Sequence, residues 1–257
     1  MDADQFDSQM RAHEIYHEMY VLASAWPVIR VDGRSFSKYT QEAAFTKPFD
    51  EGFRDMMATT ALALFEELGA LYIYTESDEI SILLPRDTDL FGRSVEKLVS
   101  ISAAVATSAF TLQARQMVQF DSRLWVGANI DDVVAYFSWR QADAARCALN
   151  GWCYWTLRQE GLSARAATAE LFRASTSFKN ELLFERDINF NELPLWQRRG
   201  IGIRRERVQR EGYNPLTEQK VIVWRSGPKL QMELAKGEAY REYIAGMLTA
   251  HLEETTS

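Results

Sequence analysis

The alternation of apolar and polar residues predicts a regular series of strands and helices in the first half of the chain. Four short apolar runs indicate strands, at residues 26–31, 71–74, 80–84 and 120–126. Two longer segments repeat apolar residues at helical spacing, from Asp50 to Leu68 and over residues 91–116. Pro48 with Asp50 is typical of a helix start, and Gly69 is typical of a helix end.

The order of these elements is β-α-β-β-α-β, which is the order of a ferredoxin-like core. The second half is predicted to add helices, at residues 131–159, after Ser163, at 175–184 and at 229–251. The arginine-rich residues 198–210 and the apolar run 220–224 are predicted to pair as a β-hairpin. We therefore expect an α+β fold in which residues 1–130 form the core, with a helix at residues 5–22. Residues 131–257 would pack on this core as one structural unit.

Two acidic points follow predicted strands. Asp32 closes the first strand and precedes Gly33, whereas Asp78 and Glu79 separate the second strand from the third. A right-handed crossover would bring Asp32 and Asp78 to the same end of a sheet. Two carboxylates at such a short distance repel each other unless a cation lies between them, and Mg²⁺ takes oxygen ligands. The pattern therefore suggests a two-metal site, and the alternative is that Asp32 caps a turn beside a solvated hairpin tip.

Several positions could meet phosphate. Gly33 lets the backbone approach a ligand closely, and small hydroxyl side chains follow it, although the P-loop pattern is absent. Arg93 and Lys97 lie where a helix dipole disfavours cations, so they are either solvated or recruited by an anion. The arginines of the predicted hairpin could bind a phosphate backbone. A solvated face is the alternative, because Glu206 and Glu211 dilute that charge.

The composition limits the classes of partner. The 257 residues are 47% hydrophobic and 25% charged, as in an ordinary globular protein. The net charge of -7 excludes a global basic field, so a nucleic acid would have to meet a local basic patch. Cys147 and Cys153 are too few for a disulfide framework, which favours a cytoplasmic location. The acidic start predicts no signal peptide, and we expect no run of about 20 apolar residues that could span a membrane.

The predicted N-terminal helix contains a zinc-protease pattern. His13-Glu-Ile-Tyr-His17 matches HExxH, in which two histidines on one helix face can hold zinc. The sequence identifies no third ligand, because the other histidine is His251, near the opposite end of the chain. A surface helix without a metal is therefore the alternative.

Five motifs stand in the order that they have in the tRNA-His guanylyltransferase family. They are Val31-Asp-Gly-Arg-Ser-Phe36, Phe45-Thr-Lys-Pro48, Glu76-Ser-Asp-Glu79, Tyr136-Phe-Ser-Trp-Arg-Gln-Ala-Asp143 and Lys179-Asn-Glu-Leu-Leu-Phe184. Together they are far more specific than any one of them. Over residues 20–208, the chain therefore resembles this family and its guanylyltransferase-like relatives, the 3′→5′ polymerases.

The resemblance implies a polymerase-palm core and a set of site residues. Asp32, Asp78 and the Gly33 carbonyl would hold two Mg²⁺ ions, and Glu79 would support this catalytic site. The residues that would bind nucleotide are Asp32, Gly33, Arg34, Ser35, Phe36, Ser37, Lys47, Ser77, Asp78, Lys179 and Asn180. Arg30, together with Arg93 and Lys97, is a weaker candidate for phosphate contacts.

Two of these motifs carry more particular implications. Lys47 matches a lysine that the family uses in activating the tRNA end. Lys179 and Asn180 match a motif that handles triphosphate.

The implied reaction has two stages. ATP first activates a 5′-monophosphorylated tRNA end by adenylylation. The 3′-hydroxyl of GTP, or of another nucleoside triphosphate, then attacks that end, so that the RNA grows in the 3′→5′ direction. The implied partners are tRNA, ATP and GTP, and the family implies a homotetramer built as a dimer of dimers.

One departure affects the RNA substrate. After Trp139-Arg-Gln-Ala-Asp143, eukaryotic members continue with His-Ile-Asn-Asn, whereas this chain has Ala145-Arg-Cys-Ala148. The difference resembles the bacterial and archaeal branch, which favours template-dependent repair of truncated tRNA 5′ ends. We therefore expect template-dependent addition instead of strict specificity for tRNA-His.

Two other functions stay open. A nucleotidyl cyclase or signalling-nucleotide synthase on the same palm could use the same acids without RNA. Such an enzyme has no evident need of Trp139-Arg-Gln or Lys179-Asn-Glu. A non-catalytic RNA-binding module would use the arginine block instead, and its RNA affinity would survive the change Asp78→Ala.

Overall fold

A six-stranded sheet is the centre of the fold, in a computed structural model that describes residues 2–214 and 219–256. The strands are, in chain order, β1 Trp26–Gly33, β2 Tyr72–Glu76, β3 Glu79–Leu83, β4 Phe120–Gly127, β5 Ile201–Asn214 and β6 Gln219–Gln231. Their order across the sheet is β4-β1-β3-β2-β5-β6, and all neighbouring pairs are antiparallel. The first four strands therefore have the predicted ferredoxin-like arrangement.

The helices surround this sheet. Within the described residues they are α1 Ala3–Arg11, α2 Phe36–Glu42, α3 Glu51–Glu67, α4 Val95–Ala114, α5 Ile130–Gln159, α6 Ala164–Leu171, α7 Thr176–Phe184, α8 Leu195–Arg199 and α9 Glu238–Thr256. Short 3-10 turns occur at Ile15–Glu18, Leu90–Arg93 and Phe190–Glu192. The predicted α+β fold, with a palm-like core, additional helices and a hairpin, is confirmed.

Local sequence explains where several helices begin and end. The Asp50 carboxylate caps α3 by accepting a hydrogen bond of 3.0 Å from a first-turn N–H. Gly69 follows α3 with φ 60°, a conformation that favours glycine. Asn129 and Asp132 form a reciprocal capping box at the start of α5. These caps define the ends of helices that contribute side chains to the site.

Each face of the sheet packs against its own layer of helices. The first layer comes from α3 and α4, and its buried members include Ile29, Ile73, Phe65 and Phe110. The second layer comes from α5 and α9, and its members include Val28, Tyr72, Phe137 and Ile244. Because side chains alternate along a strand, neighbouring residues of β1 and β2 serve opposite layers. β1, β2 and β3 are therefore buried on both sides, and α5 lies over the face that carries the site.

The predicted hairpin forms and is longer than expected. β5 pairs with β2 only over residues 201–204, whereas its pairing with β6 runs from Gly202 to Asn214. The distal part is a two-stranded ribbon that exposes Tyr213, Ile222 and Trp224. The final helix was predicted from residue 229 and begins at Glu238, because β6 continues to Gln231.

The predicted cationic face of the hairpin is partly neutralised. Arg204 forms an ion pair with Glu206 at 2.9 Å, and Arg205 forms one with Glu66 at 3.3 Å. Arg207 is exposed, and the side chain of Arg210 lies outside the described residues. The arginine block is therefore a mixed-charge surface along this stretch.

The N-terminal segment differs from the predicted single helix. α1 ends at Arg11 and buries none of its residues, and a 3-10 turn follows at Ile15–Glu18. His13 and His17 consequently do not share a helix, and His17 Nδ1 lies 3.1 Å from the Glu96 carboxylate instead. The zinc-protease interpretation is wrong, since an HExxH site needs both histidines on one helix face.

α4 corrects two expectations. It begins at Val95 instead of residue 91, and among the described residues it is the helix whose length and apolar composition would allow a membrane span. The expectation that no such run exists was therefore wrong. The helix buries four residues on one side, and these are Leu98, Ser102, Ala106 and Phe110. Leu98, Ala106 and Phe110 belong to the first apolar layer, so α4 occupies the place of a core helix.

Candidate active site

An acidic cluster lies at one end of the sheet. Asp32 is opposite Glu79 in the β1–β3 pairing, and the Gly33 N–H donates a hydrogen bond of 3.0 Å to the Asp78 carbonyl. The tight turn between β2 and β3 has Ser77 at φ 51°, and the Ser77 hydroxyl donates to Asp78 Oδ1 at 3.0 Å. These contacts bring Asp32 and Asp78 together, as the crossover argument predicts.

The two aspartates are a pair of negative charges that nearby cations offset only in part. Burial, followed by the charge of Asp32, raises the pKa of Asp78 from 3.8 to about 6. The cation nearest to Asp32 is Arg123, whose Nη2 is 4.0 Å from Oδ2 and which pairs more closely with Asp121, at 2.8 Å. The pair therefore offers hard oxygen atoms that favour a bound cation.

Glu79, in contrast, is already neutralised. Two nitrogens of Arg140 donate to its two oxygens at 2.7 and 2.8 Å, and Arg30 Nε is 3.8 Å away. Burial raises the pKa of Glu79, and the charge of Arg140 opposes that shift. Trp139 lies against the guanidinium of Arg140, with 4.5 Å between the ring centroid and Cζ. Asp143 accepts a further hydrogen bond from Arg140 at 3.2 Å, so Glu79 sits in a fixed network.

Glu76 is a candidate site residue that the residue assignments from sequence missed. It ends β2, and it lines a cavity together with Asp78. Burial, then the charges of Glu79 and Asp78, raises the pKa of Glu76 to about 8. Two features of the sequence could have identified Glu76. It belongs to the motif Glu76-Ser-Asp-Glu79, and the alternation of side chains along β2 puts it on the α5 face.

A cavity of about 490 Å³ has Asp78 in its wall, whereas Asp32 is not among its lining residues, and we call it the main cavity because it adjoins the acidic cluster. Five predicted nucleotide-binding residues line it, namely Phe36, Ser37, Lys47, Ser77 and Asp78. Sequence reasoning missed its aromatic wall, to which Tyr154, Trp155 and Trp196 contribute. Aromatic faces can stack on a nucleobase, while the lysine and the hydroxyls suit phosphate.

Lys47 reaches into this cavity from the loop before α3. Its ammonium group donates to Thr40 Oγ1 at 2.6 Å and lies 5.8 Å from the Trp155 ring centroid. Burial lowers the pKa of Lys47, and the charges of Asp50 and Asp78 oppose that effect. The charge of Asp78 therefore acts on Lys47, and the ammonium group lies where it could contact an anionic ligand in the cavity.

The remaining predicted residues occupy other places. Arg34 is exposed and donates to the Gln119 side chain at 3.3 Å, and Ser35 precedes α2 with φ 61°. Lys179 and Asn180 line a second cavity of about 800 Å³, next to Arg146 of α5. The structure therefore does not bring Lys179 and Asn180 into the main cavity with Asp78.

Arg93, a weaker candidate for phosphate contacts, is a structural residue. It precedes α4 instead of lying within it. Its guanidinium donates to five backbone carbonyls, those of Val21, Leu22, Ala25, Arg86 and Thr88. The cation therefore ties two loops together, whereas Lys97 is exposed on α4.

We expect Arg93→Gln to lower the free energy of unfolding by about 2–4 kcal/mol, because buried carbonyls lose charged donors. Affinity for RNA should be unchanged. The exposed Lys97→Gln is the matched control and should shift stability by less than about 0.5 kcal/mol. Urea denaturation measures both. Weakened RNA binding by folded Arg93→Gln, with unfolding unchanged, would contradict the structural role.

Two family models together match most of the chain. A family model described as "Thg1: tRNAHis guanylyltransferase" matches residues 7–140, and one described as "Thg1 C terminal domain" matches residues 131–242. The chain belongs to the tRNA(His) guanylyltransferase family. It is therefore a nucleotidyltransferase, and its acidic cluster and main cavity lie within the span that the two models cover.

Curated members of the family cover most of the chain. A probable tRNA(His) guanylyltransferase of Dictyostelium discoideum is 34% identical over 201 residues, which are 74% of this chain and 78% of that protein. The tRNA(His) guanylyltransferase of Debaryomyces hansenii is 31% identical over 231 residues, which are 84% of this chain and 87% of that protein. The similarity therefore extends well beyond the five motifs.

Solved structures agree in fold with this family member. A bacterial tRNA(His) guanylyltransferase (Thg1)-like protein in complex with ATP superposes with a TM-score of 0.74 at 25% identity, covering 95% of this chain and 99% of that one. The complex of such a protein with GTP gives 0.70 at 27% identity, with the same coverage. The enzyme from Saccharomyces cerevisiae gives 0.68 at 25% identity, covering 82% and 94%. The palm-like core is thus a family property.

Proposed function

We propose that this enzyme adds nucleotides to the 5′ end of tRNA in the 3′→5′ direction and repairs truncated ends against a template. The observation that carries the proposal is the convergence of Asp32 and Asp78 beside a cavity that Lys47 and Ser77 line. Similar bacterial structures have been solved in complex with ATP and with GTP, which are the two nucleotides that the reaction needs.

The donor set fits Mg²⁺. Asp32 and Asp78 supply two carboxylates whose mutual repulsion a cation would relieve, and Gly33 is predicted to add a carbonyl oxygen. The described residues contain no group of three or more His, Cys, Asp or Glu side chains placed for a metal, so substrate phosphates would complete the coordination. Bound Mg²⁺ would supply charge neutralisation for nucleotidyl transfer.

The side chains themselves orient and neutralise the nucleotide. Lys47 would hold the phosphates of the activating ATP, and Trp155 offers an aromatic surface for its base. Ser77, which donates to Asp78, fixes the direction of that carboxylate. Since the protein makes no covalent bond in such a transfer, positioning and charge supply the catalysis.

Template dependence rests on a residue of α5. Ala145, at the position of the eukaryotic motif's histidine, lines the second cavity with a methyl group. A methyl group cannot donate a hydrogen bond to a base, so Ala145 cannot replace the histidine of the eukaryotic motif in recognising tRNA-His. This absence supports repair of several tRNAs over addition to tRNA-His alone.

The test is nucleotide addition by the purified protein to a tRNA that lacks its first nucleotide. We expect Mg²⁺- and ATP-dependent addition of whichever nucleotide pairs with the opposing base of the acceptor stem. Changing that base should change the nucleotide that is added. Addition of an untemplated G to intact tRNA-His alone would refute template dependence while leaving the family activity in place.

The same assay separates the other functions. A cyclase-like enzyme would convert nucleoside triphosphate in the absence of RNA. A non-catalytic RNA-binding protein would retain its RNA affinity after Asp78→Ala and would show no metal-dependent turnover to lose. Either result would overturn the proposed function.

A further inference from the structure

A cavity of about 360 Å³ lies between α5, α8 and the start of α9. We call it the cationic cavity, because Arg198, Arg199, Lys236 and Arg241 line it. No Asp or Glu is among its lining residues in the described part of the chain. The full sequence has more acidic residues, 36, than basic ones, 29, so a lining whose charged members are all basic is a marked local exception.

Arg198 is the buried member of this group. Its residue is 9% exposed, and its Nε donates to the Leu193 carbonyl at 2.8 Å. Burial, and then the charge of Arg199, lowers the pKa of Arg198. A buried cation beside a like charge is unfavourable unless an anion compensates both. Among the residues that the structure describes, Arg199 is the charged group that acts on Arg198, and no carboxylate offsets it.

Among the described residues, one of the other three lining cations, Arg241, has a carboxylate within ion-pair distance. The Ser138 hydroxyl is buried without a hydrogen-bond partner, which leaves a free donor at the cavity wall. Lys236 and Arg241 flank the N-terminus of α9, where the helix dipole disfavours cations. The acid closest to Arg241 is Glu238, at 3.9 Å, and it does not line the cavity. Cations, a buried donor and a helix N-terminus together favour an anion.

The cationic cavity continues into the second cavity. The two share four wall residues, Ala142, Ala145, Phe190 and Asn191. Arg146 and Lys179 lie on the far side of that shared wall. Basic side chains therefore follow one surface along α5, interrupted by Glu181 and by the ion pair of Arg146 with Asp143. Such a row of cations suits successive phosphates of a polymer better than a single small anion.

We propose that the cationic cavity binds a backbone phosphate of the RNA substrate, with Arg198 and Ser138 at its base and Lys236 and Arg241 at its rim. The inference rests on the proposed function, because it takes RNA as the substrate. The main cavity shares no lining residue with this one, so nucleotide binding there is independent of the RNA contact.

The test uses the exposed rim, because changing buried Arg198 could unfold the protein. The double variant Lys236→Gln/Arg241→Gln removes two charges, and its matched control, Arg115→Gln/Arg165→Gln, removes two exposed charges elsewhere. Fluorescence anisotropy measures the affinity of the full chain for a tRNA lacking its first nucleotide, from 50 to 300 mM KCl. We expect affinity at about 100 mM salt to fall roughly tenfold, and the slope of log affinity against log salt to decrease by about 1, as the loss of one phosphate contact requires.

Other measurements decide between the outcomes. ATP affinity, measured by calorimetry, should be unchanged in both variants, and the control should bind RNA within about twofold of wild type. A rim variant with the same salt slope as the control would overturn the inference. Loss of inorganic pyrophosphate binding with intact RNA binding would also overturn it, because the cavity would then serve a free anion.

The inference and the proposed function can fail separately. If the wild type adds nucleotides while the rim variant matches the control, only the inference falls. If the rim variant weakens RNA binding but the wild type adds no nucleotide, only the proposed function falls. Absence of any RNA binding by the wild type would overturn both.

Discussion

Asp78→Asn is expected to reduce nucleotide addition by about a thousandfold or more and, at the same time, to stabilise the metal-free protein. Activity falls because one of the two carboxylates that would hold Mg²⁺ is lost, and with it the charge neutralisation that the ion would supply. Stability rises because the folded state raises the pKa of Asp78 from 3.8 to about 6. Ionisation of this group therefore destabilises the fold progressively as the pH rises through that range, by up to about 3 kcal/mol. Asparagine does not ionise.

Urea denaturation with EDTA, from pH 4 to pH 8, measures the second effect. The stability gain should be largest near pH 8 and should shrink toward pH 4, where wild-type Asp78 is protonated. Added Mg²⁺ should stabilise the wild type and have little effect on the variant. The control is Asp121→Asn, which removes an exposed carboxylate beside Arg123 at the same end of the sheet. Comparable activity in both variants would contradict the assignment of Asp78.

Arg140→Met is expected to destabilise the protein by about 3–5 kcal/mol. The change leaves Glu79, whose side chain is 15% exposed, without its bidentate partner, and an unpaired buried charge is strongly unfavourable. Arg30, at 3.8 Å, compensates only in part. Since the pKa of Glu79 would rise further, the loss should be greatest at high pH and smaller near pH 5, where Glu79 gains a proton. Urea denaturation at both pH values checks this.

Arg146→Met is the matched control, since Arg146 also pairs with Asp143 but its side chain is 69% exposed. We expect it to change stability by less than about 1 kcal/mol. The double variant Glu79→Gln/Arg140→Met should recover part of the loss, because the buried carboxylate no longer carries an unpaired charge. Recovery should be incomplete, since Arg30 then loses Glu79 as its charged neighbour. Equal losses in the Arg140 and Arg146 variants would show that burial of the pair is unimportant.

Local sequence signals were sufficient for most of the core. Helical spacing with Asp50 and Gly69 defined α3 to within one residue at each end, and the order of strands gave the core topology. Boundaries failed where tertiary structure overrode the local pattern. Residues 229–231 continue a strand because β5 offers them an edge, and Arg93 leaves the helical pattern to bind distant carbonyls.

The sequence predicted only part of the site. The motifs and the crossover argument brought Asp32 and Asp78 together, because both lie at strand ends. They could not show that Glu79 is held by Arg140, which is 61 positions away and reaches it only once α5 packs on the sheet. The separation of Lys179 from the main cavity likewise depends on how α7 packs against α5, and no spacing along the chain reveals that packing.

The double-sided burial of the sheet limits how the catalytic half can be separated from the rest of the polypeptide. Trp26, Val28 and Tyr74 are almost wholly buried, and the helices that pack on that side begin only at Ile130. A fragment cut near residue 130 would present these large apolar side chains, together with the unpaired edge of β2, to solvent. Such a fragment would self-associate instead of working alone. Transplanting the acidic turn into another scaffold would therefore require α5 and α9 to be moved along with it.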